Sequence, residues 1–297
     1  MILANNPHFP PFLFENVMLD IKSMIRNGNA IGHRRLFLLC VVSWCVMLQC
    51  AVAQVVERST MIAVGTSNRL DTYLSPQDYK GFDARFVSSV LRQKPVEDAL
   101  ITDLELTHDA GIDYTDNQAD NANTLAGHYD FAFSMMHRWK MLDGKLTVRA
   151  GAMAELYAGF AYNMHNSANN PAQGYASLGI GANGMASYTT PFTIRNRPIS
   201  INYEARLPLV GMMFSPNYGQ SYYEIFVRDD YDNNVVFTSI ATPSLRHQLT
   251  IDLPIWKQTT FSVGYLGDIR QATPNSLKQH IYTNAVVIGV KQVIGAK

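Results

Sequence analysis

Leu125–Tyr162 reads LAGHYDFAFSMMHRWKMLDGKLTVRAGAMAELYAGFAY, and its alternation decides the fold. Leu125, Gly127, Tyr129, Phe131, Phe133 and Met135 form one apolar row, with Ala126, His128, Asp130, Ala132 and Ser134 on the other face. After Asp143-Gly144 the apolar row resumes as Leu146, Val148, Ala150, Ala152, Ala154, Leu156, Ala158, Phe160 and Tyr162. Period-two alternation of this length exceeds a globular strand of about 5–6 residues and suits a membrane strand of roughly 10 or more. A two-residue Asp-Gly loop favours a type I′ turn and fixes the register. Leu142 then faces Lys145, Met141 faces Leu146, Trp139 faces Val148, Phe131 faces Leu156, and Asp130 faces Tyr157. A slip of one residue would set apolar against polar along the whole ladder. One like-charge pair stands out, Arg138 opposite Arg149, unfavourable unless water or a carboxylate lies between them.

The remainder of the chain extends this pattern. Ten strands are predicted: Ser59–Leu70, Tyr79–Arg92, Leu100–Ile112, Asn123–Arg138, Lys145–Tyr162, Gly174–Tyr188, Ile199–Met213, Ser244–Ile255, Thr259–Gln271 and His280–Val293. Connections after even-numbered strands look compact (Gln93-Lys94-Pro95, Asp143-Gly144, Thr190 to Pro198, Trp256-Lys257-Gln258). Those after odd-numbered strands look longer: Asp71 to Asp78, Asp113 to Ala122, Asn163 to Gln173, Phe214 to Pro243 and Ala272 to Gln279. Short turns at one end and long loops at the other mark an outer-membrane barrel. The expected fold is therefore all-β: a closed, antiparallel, up-and-down transmembrane β-barrel of about ten strands. Eight or twelve are the alternatives, because Tyr222–Arg228 and Val235–Ile240 could form an extra hairpin.

In the seventh strand, Ile199, Ile201, Tyr203, Ala205, Leu207 and Leu209 should face lipid, with Asn202, Glu204 and Arg206 inside. In the ninth, Phe261, Val263, Tyr265 and Ile269 face out, and Ser262, Gly264, Asp268 and Arg270 face in. Arg149, Glu155, Glu204, Arg206, Asp268 and Arg270 are the candidate lumen charges, expected to pair across a narrow interior. Asp83/Arg85, Glu204/Arg206 and Asp268/Arg270 put both signs close together on that face. Trp139 and Trp256 fall beside compact turns, where an aromatic girdle belongs. The rival fold, a soluble secreted β-sandwich or lipocalin-like barrel, would turn its apolar rows inward.

Residues 1–53 are read as an N-terminal extension plus a cleavable signal peptide, and 54–297 as a single barrel domain. His33-Arg34-Arg35 precedes the apolar run Leu36–Cys50, and Ala51-Val52-Ala53 makes an A-x-A site with cleavage between Ala53 and Gln54. The run is shorter than a membrane helix of about 20 residues. Arg34-Arg35 also resembles a twin-arginine signal, and Cys50 a lipidation site, although Met47, Leu48 and Gln49 make a poor lipobox. Internal methionines at Met18 and Met24 suggest an overextended start, with the protein beginning near Met24. All three cysteines, Cys40, Cys45 and Cys50, lie in the apolar run. Formal charge is zero, so nucleic acid is not an expected partner.

At Asp71-Thr72-Tyr73-Leu74-Ser75-Pro76, followed by Tyr79-Lys80-Gly81, and at Leu207–Phe226 (LPLVGMMFSPNYGQSYYEIF), the chain resembles a domain-of-unknown-function family of secreted Bacteroidota proteins. The resemblance implies an outer-membrane barrel over nearly all of the mature chain and transfers no active site. The Phe214–Phe226 segment is read as a loop packing its own aromatics on the rim, with a cap or lumen plug as the alternative.

Reactive chemistry is sparse. Asp230-x-Asp232-x-Asn234 begins like a calcium loop, but Val235 stands where glycine should and Ala241 where the twelfth-position glutamate should. These three are weak metal candidates, and no cofactor is expected. Asp113, Asp116 and Asp120 are read as solvent-facing. His108, His128, His137, His165, His247 and His280 are scattered, and His165, in a predicted loop, comes nearest to a candidate base. The expected protein is a non-enzymatic outer-membrane envelope or surface component with a mostly filled lumen. Lipid surrounds it, and the 214–243 loop would bind a protein or glycan partner. A narrow solute pore and an outer-membrane hydrolase are the functional alternatives.

Overall fold

Outward apolar rows and inward polar rows close on themselves in the computed structural model, which describes residues 55–94, 99–164 and 171–295. The strands are β1 (Val55–Asp71), β2 (Ser75–Gln93), β3 (Asp103–Asn117), β4 (Asn123–Met141), β5 (Leu146–Asn163), β6 (Ala172–Ile194), β7 (Arg197–Phe214), β8 (Val235–Ser239), β9 (Leu245–Pro254), β10 (Thr259–Ala272) and β11 (Gln279–Gly295). Each wall strand pairs antiparallel with its neighbours, β7 with β9, and β11 returns to β1 from Val55↔Gly295 to Asp71↔Gln279. Ten strands therefore form the ring. A spanning sheet must close, because lipid offers no partner to an unpaired backbone edge. The predicted N-terminal extension and the cleavage site at Ala53 and Gln54 lie outside the described residues.

Burial decides between membrane barrel and soluble sandwich. The buried set holds more polar and charged residues than apolar ones, while Ile62, Phe86, Leu156, Leu178 and Val286 are exposed. Apolar out and polar in suits lipid on one side and a hydrated interior on the other. It contradicts the sandwich.

The β4–β5 hairpin has the expected register: Met141↔Leu146, Trp139↔Val148, Phe131↔Leu156 and Asp130↔Tyr157 are all paired. Lys145 N–H donates to Leu142 O at 3.1 Å, across Asp143 and Gly144 with φ of 55° and 81°. Positive φ at both is the type I′ signature, but Leu142 is left-handed too, at φ 53°, so the ladder stops at Met141↔Leu146 and the turn takes in residues 142–145.

Several boundaries differ from the sequence reading. β6 runs on from Tyr188 to Ile194, so the turn into β7 is only Arg195-Asn196, both left-handed at φ 50° and 62°. The strand irregularity at Thr189/Thr193 absorbs Pro191, which can donate no ladder hydrogen bond. The β2–β3 connection, Lys94 to Thr102, is longer than expected, and β1 turns into β2 through only Thr72–Leu74. Loop asymmetry is thus weaker than predicted and rests mainly on the connection from β7 to β9. That connection is neither plain loop nor hairpin: Tyr222–Val227 forms a short helix, α1, and β8 is one short strand on β7.

The lipid-facing row of β7 is also corrected. A bulge between Ile180/Gly181 on β6 and Val210/Pro208 on β7 shifts the phase. Below it Ile201 and Tyr203 face out as expected, Leu209, the extra residue at the bulge, is exposed as expected too, and above it the outward residues are Val210 and Met212. An extra residue in one strand necessarily reverses the faces beyond it.

Candidate functional site: a charged lumen and its cap

Three Asp/Glu-x-Arg pairs, each on one face of one strand, form the centre of the interior. Arg85 Nε lies 3.0 Å from Asp83 Oδ1, Arg206 Nε 2.5 Å from Glu204 Oε1, and Arg270 Nε 3.2 Å from Asp268 Oδ2. Residues two apart on a strand share a face, so this follows from spacing alone. The longer contacts then cross the lumen. Arg85 Nη1 donates to Asp268 Oδ2 at 2.7 Å and its Nη2 to Thr283 Oγ1 at 2.5 Å. Arg246 on β9 donates to Asp109 on β3 at 3.1 Å. Arg270 reaches Glu155 Oε1 at 2.6 Å and also Asp130, with its guanidinium 4.4 Å from the centre of the Tyr157 ring. Arg206 Nη2 donates to Thr107 Oγ1 at 2.6 Å, and Asn183 Nδ2 bridges Glu105 and Ser134 at 3.0 and 2.9 Å.

All six lumen charges named from sequence point inward and are buried or nearly so. Sequence reasoning passed over Asp103, Glu105 and Asp109 on β3, and Arg246 on β9. The signal was present: Asp103, Glu105, Thr107, Asp109 and Asp113 all sit at odd positions, one face of β3. Asp113 is the direct correction. Read as solvent-facing, it is buried because β3 continues past Ile112 to Asn117, and its carboxylate meets Arg69 Nη2 at 2.7 Å. Asp120 is exposed and Asp116 half-buried.

Asp103 resolves the Arg138–Arg149 conflict. Its carboxylate oxygens lie 3.3 Å from Arg138 Nη1 and 2.5 Å from Arg149 Nε. Arg149 also borders a cavity of about 330 Å³, lined besides by Glu57, Glu204, Asp252 and Lys291. Lys291 Nζ donates to Asp252 Oδ2 at 2.8 Å. Trp139 and Trp256 are exposed at this same end of the barrel.

The opposite end carries a lid. Ser221 caps α1, its hydroxyl accepting from the Glu224 N–H at 3.2 Å while Glu224 Oε2 accepts from the Ser221 N–H at 2.7 Å, a reciprocal capping box. These hydrogen bonds hold the Glu224 carboxyl below its ordinary range. Tyr222 OH accepts from Gly174 N–H at 2.6 Å and donates to Gln173 Oε1 at 2.9 Å, and Tyr73 OH donates to Gln220 O at 2.8 Å. Burial pushes both phenols upward in pKa. Tyr222 stacks on Phe226 at 6.0 Å, with Phe214 6.3 Å from Tyr222, so the segment does pack its own aromatics. Ile225 is fully buried beneath it.

The weak metal candidates do not share one task. Asp230 and Asp232 are exposed, whereas Asn234 is buried and donates to Ser215 O and Gln220 Oε1 at 3.0 and 2.7 Å. Among the histidines, His280 Nε2 lies 3.2 Å from Asp78 and its ring stacks on Tyr282 at 4.4 Å. His128 Nε2 lies 3.6 Å from Asp109 inside the lumen. His165 lies outside the described residues.

Closed wall, inverted polarity and charged interior define an outer-membrane-type β-barrel. The chain belongs to the family described as "Protein of unknown function (DUF3316)", whose model matches residues 36–295. Comparison with curated protein sequences finds no match. Among solved structures, the chain is similar to the outer membrane protease OmpT from Escherichia coli, at 9% identity and TM-score 0.44, covering 82% of this chain and 97% of that one. It is also similar to the translocator domain of the autotransporter NalP from Neisseria meningitidis, at 8% identity and TM-score 0.43, covering 88% and 95%. The COG4313 outer membrane channel from Pseudomonas putida F1 follows at 10% identity and TM-score 0.35, covering 82% and 96%. These likenesses concern the barrel fold alone.

Proposed function

We propose that this protein is a non-enzymatic outer-membrane surface component, exported by its N-terminal signal, whose barrel is closed to solutes and whose 214–243 segment meets a partner outside the cell. The observation that carries the reading is the pair of arginines, Arg85 and Arg270, each shared among three carboxylates drawn from different strands. Such a cross-braced interior fills a ten-stranded lumen with side chains. The lid supports the second half: Tyr218, Tyr223, Phe226 and Tyr231 are exposed there, and exposed aromatics are the residues that anchor interfaces. A protein or glycan surface suits them.

Planar-bilayer recording of the purified barrel tests the reading. No conductance steps are expected, and a steady open conductance would overturn it in favour of the second reading, a narrow solute pore. That reading draws on the 330 Å³ cavity at the turn end, which reaches as far inward as Glu204.

A further inference from the structure

Where β7 parts from β9, the barrel wall loses its regular ladder. β7 pairs with β9 only from Ser200 to Arg206 and with β8 only from Val210 to Phe214. Leu207, Pro208 and Leu209 therefore have no ladder partner on that edge, and Pro208 has no N–H to offer. On the far side, β9 stops at Leu245↔Ile269, leaving Arg270–Ala272 of β10 above it. Only residues 240–244 bridge the interval, through Gln271 Nε2 donating to Pro243 O at 2.6 Å and Gln271 N–H donating to Ser244 Oγ at 3.2 Å.

A cavity of about 130 Å³ sits in this interval. Its lining takes in Leu178 and Val210, exposed on the barrel's outer face, and Tyr157 and Tyr175, buried in the lumen. Small inward residues of β6, Ser177 and Gly179, leave this space between the larger Tyr175 and Met213. At Gly179, which lines the cavity, an added Cβ would meet nothing nearer than Val210 O at 3.6 Å.

Its other end is polar and unsatisfied. Gln279, on the inward row of β11 with Thr283 and Ala285, lines the cavity and is more than nine-tenths buried, yet its Nε2 has no hydrogen-bond partner. A buried donor left unpaired is costly, so it marks a place where an acceptor belongs.

We propose that this cavity binds a single hydrocarbon chain entering from the membrane, with its carboxyl or ester oxygen accepting from Gln279 Nε2. The volume supports a chain rather than a whole lipid: an apolar cavity of about 150 Å³ takes one benzene ring, so this one takes roughly six carbons. The occupant follows from continuity, since the opening lies beside Leu178, Ile180, Val210 and Met212, all exposed on the surface that lipid covers. The acyl group could come from a free fatty acid or from a phospholipid. This site does not depend on whether the lumen conducts.

Photolabelling of the full chain in phosphatidylcholine vesicles tests the proposal, using a diazirine-bearing twelve-carbon fatty acid in one arm and a diazirine-acyl phosphatidylcholine in the other. Peptide mapping should show labelling concentrated on the β6 and β7 segments lining the cavity, above Ile62 and Phe86 on β1 and β2. Capture in the first arm alone identifies a free acid, and capture in both identifies a lipid chain. Gly179→Leu, which fills the cavity, should reduce labelling there to the Ile62 level while heat-modifiable gel mobility persists. Gln279→Leu should weaken capture about fivefold, the loss of one hydrogen bond. Labelling spread evenly around the barrel, or unchanged in a folded Gly179→Leu variant, overturns the proposal. Should Gly179→Leu lose its heat-shifted mobility, unchanged capture by Gln279→Leu overturns it instead.

Discussion

Arg85 on β2 and Asp268 on β10 meet at 2.7 Å inside the barrel, although 183 residues separate them in sequence. The contact ties together two strands that have β1 and β11 between them, and Arg85 is simultaneously held by Asp83 on its own strand. Neither residue would be stable alone in this interior. A buried charge deprived of its partner costs far more than the pair is worth.

Arg85→Gln leaves Asp83, Asp109 and Asp268 facing one another with less positive charge between them. Stability should fall by about 3–5 kcal/mol. The double variant Arg85→Gln/Asp268→Asn should recover part of that loss, because the two sites share one interaction. Urea unfolding in detergent micelles reads both, and simple additivity would refute the coupling.

Asp103→Asn should cost about 3 kcal/mol, since it exposes Arg138 and Arg149 to each other across the β4–β5 ladder. Added Arg149→Gln should relieve the repulsion. Because the cluster is buried, the penalty should change little between low and moderate salt. A penalty that disappears on adding salt would mean the arginines are solvated.

Two neighbouring glycines on β6 should behave oppositely. At Gly181 a Cβ would fall 2.2 Å from Leu207 O, backbone that cannot move without opening the bulge. Gly181→Ala should therefore destabilise by about 2–3 kcal/mol. Gly179→Ala has room and should be neutral or stabilising by about 0.5 kcal/mol, because alanine loses less backbone entropy in a strand. Equal unfolding midpoints for the two variants would show that the bulge yields.

The lid should loosen in acid. Glu224 is held below its ordinary pKa by the Ser221 hydrogen bonds, so its contribution is present above the unfolded value of about 4.3 and lost as pH falls further. Amide exchange over Tyr222–Val227, corrected for its intrinsic rate, should accelerate below about pH 4. In Glu224→Gln that pH step should vanish. Protection that holds unchanged down to pH 3 would show that the aromatic packing alone secures the helix.

Much of this molecule was legible in the chain. Local alternation placed Leu125–Tyr162 on two strands, Asp143-Gly144 set their register, and the Asp/Glu-x-Arg spacing put each pair on one face. Those properties depend only on strand periodicity and turn geometry, both local. The misreadings arose where a distant strand intervened. Asp113 looked like a loop residue because its partner Arg69 lies on another strand, and the outward row of β7 failed at the Gly181 bulge. The helix Tyr222–Val227 between β7 and β9 also escaped, because six residues are too few to show a helical period.

The sequence by itself determined that this protein is an outer-membrane-type barrel, with apolar rows outward and charged rows inward, because period-two patterning is written residue by residue. Tertiary structure alone decided which charges meet, that Asp103 separates two opposed arginines, and that the wall opens beside Gly179. Those outcomes depend on how ten strands are staggered as the sheet closes, and stagger is a property of the ring as a whole, carried by no single strand.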